Sequence, residues 1–288
     1  METSELLKKV RKIEIKSRGL SRNIFAGQYH SAFKGRGMAF SEVREYQFGD
    51  DVRDIDWNVT ARHNKPFIMV FEEERDLTVM LLIDVSASRN FGAVGDSKKE
   101  MMTQIAATLA FSTIQNNDKI GVIFFSDKVE KFIPPKKGRR HVLYIIRELI
   151  EFTPQNSKTD IALALEYVTN AIKKRCTIFM MSDFIDTKNY QKALTIANNR
   201  HDMVALQIYD KREAELPDVG LVKLKDAERG GDVWVDTSSR KVREQYNNWW
   251  NVRQNAMQDA ARKSGVDITS IATDEDYVRS LMTLFEKR

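Results

Sequence analysis

From Leu77 onward the chain alternates between two hydrophobic patterns. Short apolar runs with β-branched members, of strand length, are followed by longer stretches in which apolar residues recur at helical spacing. The runs predict strands at 77–84, 119–126, 129–133, 176–182, 202–208 and 266–271. The helical stretches predict helices at 97–116, 138–151, 159–174, 189–200, 239–263 and 275–286. A hairpin is expected over 220–236, turning at Arg229-Gly230-Gly231. Pro134-Pro135 is expected to stop the strand that begins at 129. Thr159 or Asp160 is placed to cap the helix that follows it. Serial alternation of this kind implies an α/β fold: a doubly wound, mostly parallel sheet with helices on both faces. Right-handed crossovers then bring the strand-to-helix loops of interest to one edge.

The first part of the chain reads differently. Residues 4–17 can form a short amphipathic helix with Leu6, Leu7, Val10 and Ile13 on one side. Over 18–65 helical periodicity is poor and glycines recur at Gly19, Gly27, Gly35, Gly37 and Gly49. That pattern suggests a small loop-rich or β-rich appendage. A strand is expected from Phe67 to Phe71, and the boundary between an N-terminal unit and the α/β domain is placed at 76/77.

Composition narrows the class. With 42% apolar and 30% charged residues among 288, the chain can bury a large core and is not of disordered type. No apolar run is long enough to cross a bilayer, and the first ten residues lack the apolar core of a secretory signal. Cys176 is the single cysteine, which excludes an internal disulfide and suits a reducing cytoplasm. The net charge is +5, with Lys8, Lys9, Arg11, Lys12, Lys16, Arg18, Arg22, Lys34 and Arg36 facing only Glu2, Glu5 and Glu14. Such a segment is ordinarily a solvated basic face; its sharper readings are an acidic protein partner, nucleic acid or an anionic surface. Phe25, Tyr29 and Phe33 follow it, but no nucleic-acid signature accompanies them.

The candidate chemistry lies at strand ends. The run Leu77–Ile83 ends in Asp84-Val85-Ser86-Ala87-Ser88. In open α/β sheets ligands bind outside the carboxyl ends of strands. A second loop carries Thr159 before a helix, and a third, Ser182-Asp183-Phe184, follows the apolar strand Thr177–Met181. If the strands ending at Asp84 and Asp183 are neighbours, two carboxylates and the hydroxyls of Ser86, Ser88 and Thr159 gather on one edge. These are hard oxygen donors, suited to Mg²⁺, Mn²⁺ or Ca²⁺ rather than to zinc. A partner's carboxylate could complete an octahedral shell. The same residue types also cap turns and helices without any ion, so a purely structural reading stays open.

This set, Asp84, Ser86, Ser88, Thr159 and Asp183, resembles the metal-ion-dependent adhesion site (MIDAS) of von Willebrand factor A domains. Upstream, Phe25-Ala26-Gly27-Gln28-Tyr29 and Gly35-Arg36-Gly37-Met38 precede Glu42-Val43-Arg44-Glu45-Tyr46, and Gly49-Asp50-Asp51-Val52-Arg53-Asp54-Ile55-Asp56-Trp57 leads to Thr60-Ala61-Arg62. With these the whole chain resembles the DUF58 family, whose members carry such signatures before a von Willebrand factor A-like domain. The resemblance implies a noncatalytic, metal-dependent protein-binding module, an adaptor for a MoxR-type AAA+ ATPase in chaperone-like maturation or assembly. In one respect the chain departs from the pattern: Arg89 stands where the first motif usually has Met. Its guanidinium is expected to weaken ion binding, or to clamp a partner carboxylate.

Other features admit plainer readings. Asp50, Asp51, Asp54 and Asp56 lack calcium-loop spacing and are expected to pair with Arg44, Arg53 and Arg62, with Trp57 as a packing anchor. Lys34-Gly35-Arg36-Gly37 fits no phosphate-binding motif. His30, His63, His141 and His201 show no ligand spacing, and Cys176 has no evident histidine partner. Of Trp249 and Trp250, about 100° apart on a helix, one is expected inside and one outside. Phe184 is a candidate apolar rim to the site and, with Arg89, a candidate partner contact. The competing functions are a metal-dependent phosphohydrolase, for which Ser86 is a poor acid/base, and a nucleic-acid or anionic-surface binder acting through residues 8–36.

Overall fold

The computed structural model describes residues 11, 13, 38–73, 77–90, 97–156, 158–225 and 231–288. The helix expected over 4–17 and the basic segment 8–36 lie outside these, Arg11 and Ile13 apart, as do Arg229 and Gly230 of the expected turn.

Residues 34–77 form one compact unit. In it β1 (Met38–Glu45) pairs antiparallel with β2 (Phe67–Glu73), with a bulge between Phe40 and Glu42. Between them lies a helix that poor periodicity concealed, α1 (Trp57–His63). Its start signal is Asp56, whose carboxylate accepts from the Asn58 and Val59 amides, the usual work of an N-cap. The acidic turn is salt-bridged: Arg44 grips Asp50 through two nitrogens at 2.8 and 2.9 Å, and Arg53 holds Asp51 at 2.7 Å. Trp57, expected to anchor packing, is 70% exposed instead, because it opens a helix of two turns with no buried residue.

The second unit holds a six-stranded sheet. In chain order its elements are β3 (Thr78–Asp84), α2 (Lys98–Gln115), β4 (Lys119–Phe125), β5 (Val129–Lys136), α3 (Arg139–Glu151), α4 (Ile161–Ala171) and β6 (Thr177–Ser182). These are followed by α5 (Gln191–Arg200), β7 (Asp202–Tyr209), α6 (Lys211–Ala214), the hairpin β8 (Leu221–Lys225) and β9 (Asp232–Asp236), α7 (Arg240–Ser264), β10 (Asp267–Ala272) and α8 (Tyr277–Glu286). The sheet order is β10-β7-β6-β3-β4-β5, and every pairing is parallel except β4 with β5. The fold is therefore the doubly wound, mostly parallel α/β sheet that the alternation implied.

Strand alternation divides the core between two faces. Met80, Leu82, Ile123, Phe125, Ile178, Met180, Met203 and Ala205 pack with residues of α4, α5 and α7, among them Leu165, Val168, Leu194 and Met257. The intervening positions look the other way, where Phe124 meets Phe152 and Phe179 meets Phe285 of α8. Central strands β3, β4 and β6 are buried over nearly their whole length, which is why they read as continuous apolar runs. Trp250 is buried against Tyr209, while Trp249 is exposed under Arg253, as the helical spacing required.

The structure corrects one boundary. β5 runs through Pro134 and Pro135 to Lys136 rather than stopping before them. It is an edge strand, and the two prolines fall where its register with β4 shifts, between the pairs Val122–Ile133 and Ile120–Lys136. The prolines also explain Gly121 opposite them. A Cβ there would stand 2.8 Å from the Ile133 oxygen, 2.9 Å from the Pro135 nitrogen and 2.7 Å from the Met80 sulfur. Gly121→Ala is accordingly expected to destabilise the protein by about 1–3 kcal/mol, the cost of overpacking against backbone. Urea unfolding checks this; an unchanged midpoint would show that the edge strand yields freely.

Candidate metal centre

β3 and β6 are parallel neighbours with Ile83 opposite Met181, so Asp84 and Asp183 emerge at one edge of the sheet. Both are nearly removed from water, at 2% and 3% exposure. Asp84 is oriented from two sides. The Ser86 amide donates to Oδ1 at 2.9 Å, and the Ser182 hydroxyl donates to Oδ2 at 2.6 Å. Ser86 and Ser88 hydroxyls lie 3.0 Å apart as the chain enters a short 3₁₀ turn over Ala87–Asn90. Burial pushes the Asp84 carboxyl up to about 6, the charge of Asp183 adds to that, and the hydrogen bonds from Ser182 and Ser86 oppose it. The charges of the two carboxylates thus oppose one another.

The third loop is held tightly. Asp183 accepts from the Ile185 amide on Oδ1 at 3.1 Å and from the Lys98 ammonium on Oδ2 at 2.9 Å. Phe184 takes φ 58°, a left-handed conformation uncommon for a bulky residue, while its amide donates to the Ser182 hydroxyl at 3.0 Å. It is buried in the core, with its ring 6.3 Å from that of Tyr190, rather than forming an exposed rim.

Thr159 arrives from the loop before α4. The Asp160 amide donates to the Ser126 carbonyl at 3.0 Å, and Ser126 follows Phe125, the register partner of Asp84. Asn156 ties the same loop down through its amide to Glu130 at 3.1 Å and its side chain to Asp127 at 2.6 Å. Asp160 performs the helix cap, accepting from the Leu163 amide, and pairs with Lys188. The neighbouring Thr159 hydroxyl is left buried with no hydrogen-bond partner among the described residues. A buried polar group in that state costs about 1–3 kcal/mol unless something else satisfies it.

Two cations lie beneath these oxygens, one expected and one not. Arg89 is 3% exposed; its Nη2 donates to the Phe152 carbonyl at 3.0 Å and its Nε has no hydrogen-bond partner among the described residues. Burial lowers it to about 10 against the pull of Asp84, so it stays charged. Packed inward, it is not displayed for a partner to touch. Lys98, missed in the sequence, is wholly buried and bridges Asp183 and Glu213, the latter at 2.6 Å. Burial alone would discharge it, but Asp183 and Glu213 outweigh that and carry its pKa above the ordinary lysine value. Burial raises Glu213, and Lys98 pulls it back. A signal for Lys98 did exist: a lysine at the first position of a helix stands at the positive end of the macrodipole, where cations are disfavoured. Glu213 belongs to a capping box on α6, readable in Asp210-Lys211-Arg212-Glu213.

The donor set suits a hard divalent cation. It offers two mutually repelling carboxylates and three hydroxyls, one of them unsatisfied. Among the described residues no three His, Cys, Asp or Glu side chains gather, so an ion here depends on the hydroxyl oxygens. His141 and His201 have partners of their own, His141 at the Ile120 carbonyl. His201 is found against Cys176, Nδ1 to Sγ 3.4 Å, a partner the sequence did not disclose. Burial pushes the thiol up to about 12 and the imidazole down to about 4, so both are neutral and pack together. Among the described residues no helix is long and apolar enough to cross a membrane.

Comparison with known proteins agrees with this architecture. An uncharacterized protein of Mycobacterium tuberculosis is 26% identical over 292 residues, covering 100% of this chain and 91% of its own. The Bacillus subtilis protein YeaD is 26% identical over 122 residues, 42% of this chain and 27% of its own length. Among solved structures, the conserved hypothetical protein BatB from Bacteroides thetaiotaomicron superposes with a TM-score of 0.51 at 15% identity, covering 73% of this chain and 98% of BatB. An aerotolerance-related membrane protein from Bacteroides fragilis gives 0.50 at 15%, covering 74% of this chain and 100% of its own. At that identity the likeness concerns the fold alone. Residues 42–256 match the family described as "Protein of unknown function DUF58", and the chain belongs to that family.

Proposed function

We propose that the protein is a noncatalytic binding module that holds a divalent cation, Mg²⁺ with Mn²⁺ or Ca²⁺ as substitutes, and through it takes an acidic side chain of a partner protein. The reading rests above all on Asp84 and Asp183, buried at adjacent strand ends, and is supported by a buried Thr159 hydroxyl that has no partner among the described residues. Asp84, Ser86, Ser88, Thr159 and Asp183 are the oxygen donors. A bound cation would act as a Lewis acid with a coordination position open to a carboxylate. The chain's own work is orientation: Ser182 and the Ser86 amide aim Asp84, the Ile185 amide aims Asp183, and the pinned 156–160 loop delivers Thr159. In the cell the module serves as an adaptor for a MoxR-type AAA+ ATPase, in chaperone-like maturation or assembly. Support for that role comes from the family resemblance.

Mn²⁺ titration calorimetry on the wild-type protein and on Asp84→Ala tests the site. The expected result is measurable binding by the wild type and a loss of about 100-fold or more in the variant, since a coordinating charge is removed. Capture of an acidic partner from native extract is expected with Mg²⁺ and not with EDTA. Equal Mn²⁺ affinity in the two proteins would refute the site, and Mg²⁺-dependent turnover of a phosphoester, absent in Asp84→Asn, would favour a phosphohydrolase.

A further inference from the structure

We infer that the sheet edge where the parallel strands begin, opposite the edge that carries Asp84 and Asp183, is an electrostatic docking surface for an anionic phospholipid bilayer. Register aligns the strand starts: Thr78 of β3 lies opposite Lys119 of β4, Val79 opposite Thr177 of β6, and Thr177 opposite Asp202 of β7. β5 is antiparallel, so its last residue, Lys136, returns to the same edge opposite Ile120. α3 starts from this edge, and α4, α5, α7 and α8 end on it. The segments that turn there, 115–119, 136–140, 172–176, 200–202, 259–267 and 286–288, hold thirteen Lys and Arg against five Asp and Glu. That excess is larger than the net charge of +5 carried by the whole chain. Of the acids, Asp202 and Asp267 are engaged by Arg288 and Asp259 by Arg262, Asp118 is buried, and Glu286 is exposed.

The cations are displayed in two dimensions. Lys119 stands at the start of β4, and Arg140 in the first turn of α3. Lys173 and Arg175 precede β6, Arg200 ends α5 and Lys263 lies in the last turn of α7, on the sheet face that α4, α5 and α7 cover. All six are exposed. Burial lowers the His201 imidazole, and the charges of Arg200 and Arg175 lower it further, so those two arginines converge from neighbouring strand starts. Six strands about 4.8 Å apart spread the charge over about 24 Å, which suits a plane of headgroups. A single-stranded nucleic acid would ask for a groove with aromatic rings to stack on. None of the exposed large apolar residues lies in these segments. Contact with a bilayer is then purely electrostatic, cumulative over the basic residues and screened by salt. A molecule docked this way holds the Asp84 edge about 20 Å from the headgroups, the length of β3, and facing away from them.

Co-sedimentation with vesicles tests this, in EDTA so that no cation bridges through Asp84. The full chain is expected to bind vesicles of equal parts phosphatidylglycerol and phosphatidylcholine at about 0.1 M salt and to leave them at about 0.5 M. It is expected to ignore vesicles of phosphatidylcholine alone. Lys173→Glu with Arg175→Glu should weaken binding about 100-fold or more, because two attractive charges become repulsive. Lys192→Glu with Lys241→Glu makes the same change in net charge at the other ends of α5 and α7 and should cost no more than about threefold. If the first pair does not fold, Lys119→Glu with Arg140→Glu replaces it. Four results would each overturn the inference. They are no binding to the anionic vesicles, binding that the reversals at this edge leave intact, an equal loss in the Lys192 and Lys241 pair, and binding to duplex DNA as tight as to vesicles at equal phosphate concentration.

Discussion

Asp84→Asn is expected to unfold at a higher temperature than the wild-type protein near neutral pH, in EDTA, while binding no Mn²⁺. The reason lies in the buried carboxylate. Burial and the facing charge of Asp183 hold Asp84 at about 6, against an ordinary 3.8. Keeping it ionised without a cation therefore costs on the order of 3 kcal/mol, about 1.4 kcal/mol for each pH unit of displacement. An asparagine removes that cost and keeps the contacts. Its amide oxygen can accept from the Ser86 amide, and its NH₂ can donate to the Ser182 hydroxyl. For a chain of this size the gain corresponds to about 5–10 °C.

The pH dependence distinguishes this cause from better packing. A carboxyl with a raised pKa in the folded state adds stability that is complete below 3.8 and is lost as pH rises through about 6. The advantage of Asp84→Asn should thus be full near neutrality and shrink toward pH 4. His201 acts in the opposite sense. Burial holds it at about 4, so stability falls as pH drops from 6.5 toward that value. Because His201 is common to both proteins, the difference between their melting curves isolates Asp84. Added Mn²⁺ should raise the wild-type melting temperature and leave the variant unmoved. A variant no more stable than wild type at neutral pH would mean that Asp84 bears no such strain. Function and stability are expected to oppose each other here, as they do where a site stores unfavourable charge.

Lys98→Met is expected to lose about 3–5 kcal/mol of stability in EDTA, the usual result of removing one partner from a buried ion pair. Asp183 would be left buried, and Glu213 half-buried, without the ammonium that both now share. The corresponding fall in melting temperature is on the order of 10 °C. Mn²⁺ should recover much of it, because the ion supplies charge at the place vacated. Calorimetric scans with EDTA and with Mn²⁺ measure both effects. A small loss in EDTA would indicate that solvent already compensates these carboxylates.

The central strands were legible because burial on both faces leaves an unbroken apolar run, as in Val79–Ile83 and Ile178–Met181. The helices α2 to α5, α7 and α8 were legible from their period and the strands β8 and β9 from their spacing, while α6, four residues long, was not read. Short elements were not. α1 spans two turns and exposes its residues, so it has no apolar stripe to betray it. Pro134 and Pro135 misled because a proline's tolerance depends on whether its strand lies at an edge, and strand order is not a local property.

The candidate site divides in the same way. Asp84, Ser86, Ser88, Thr159 and Asp183 could be singled out from the sequence, because each ends an apolar run or opens a helix and such punctuation is local. Their surroundings could not. Ser182 meets Asp84 from 98 positions away, and Lys98 reaches Asp183 across 85 and Glu213 across 115. Arg89 was expected near the ion and outward, and it is folded inward onto Phe152, 63 positions on. Periodicity and capping record what a residue asks of its immediate neighbours. Which distant charges meet at a strand end is decided by strand order and crossovers, as where the buried Lys98 ammonium reaches Asp183.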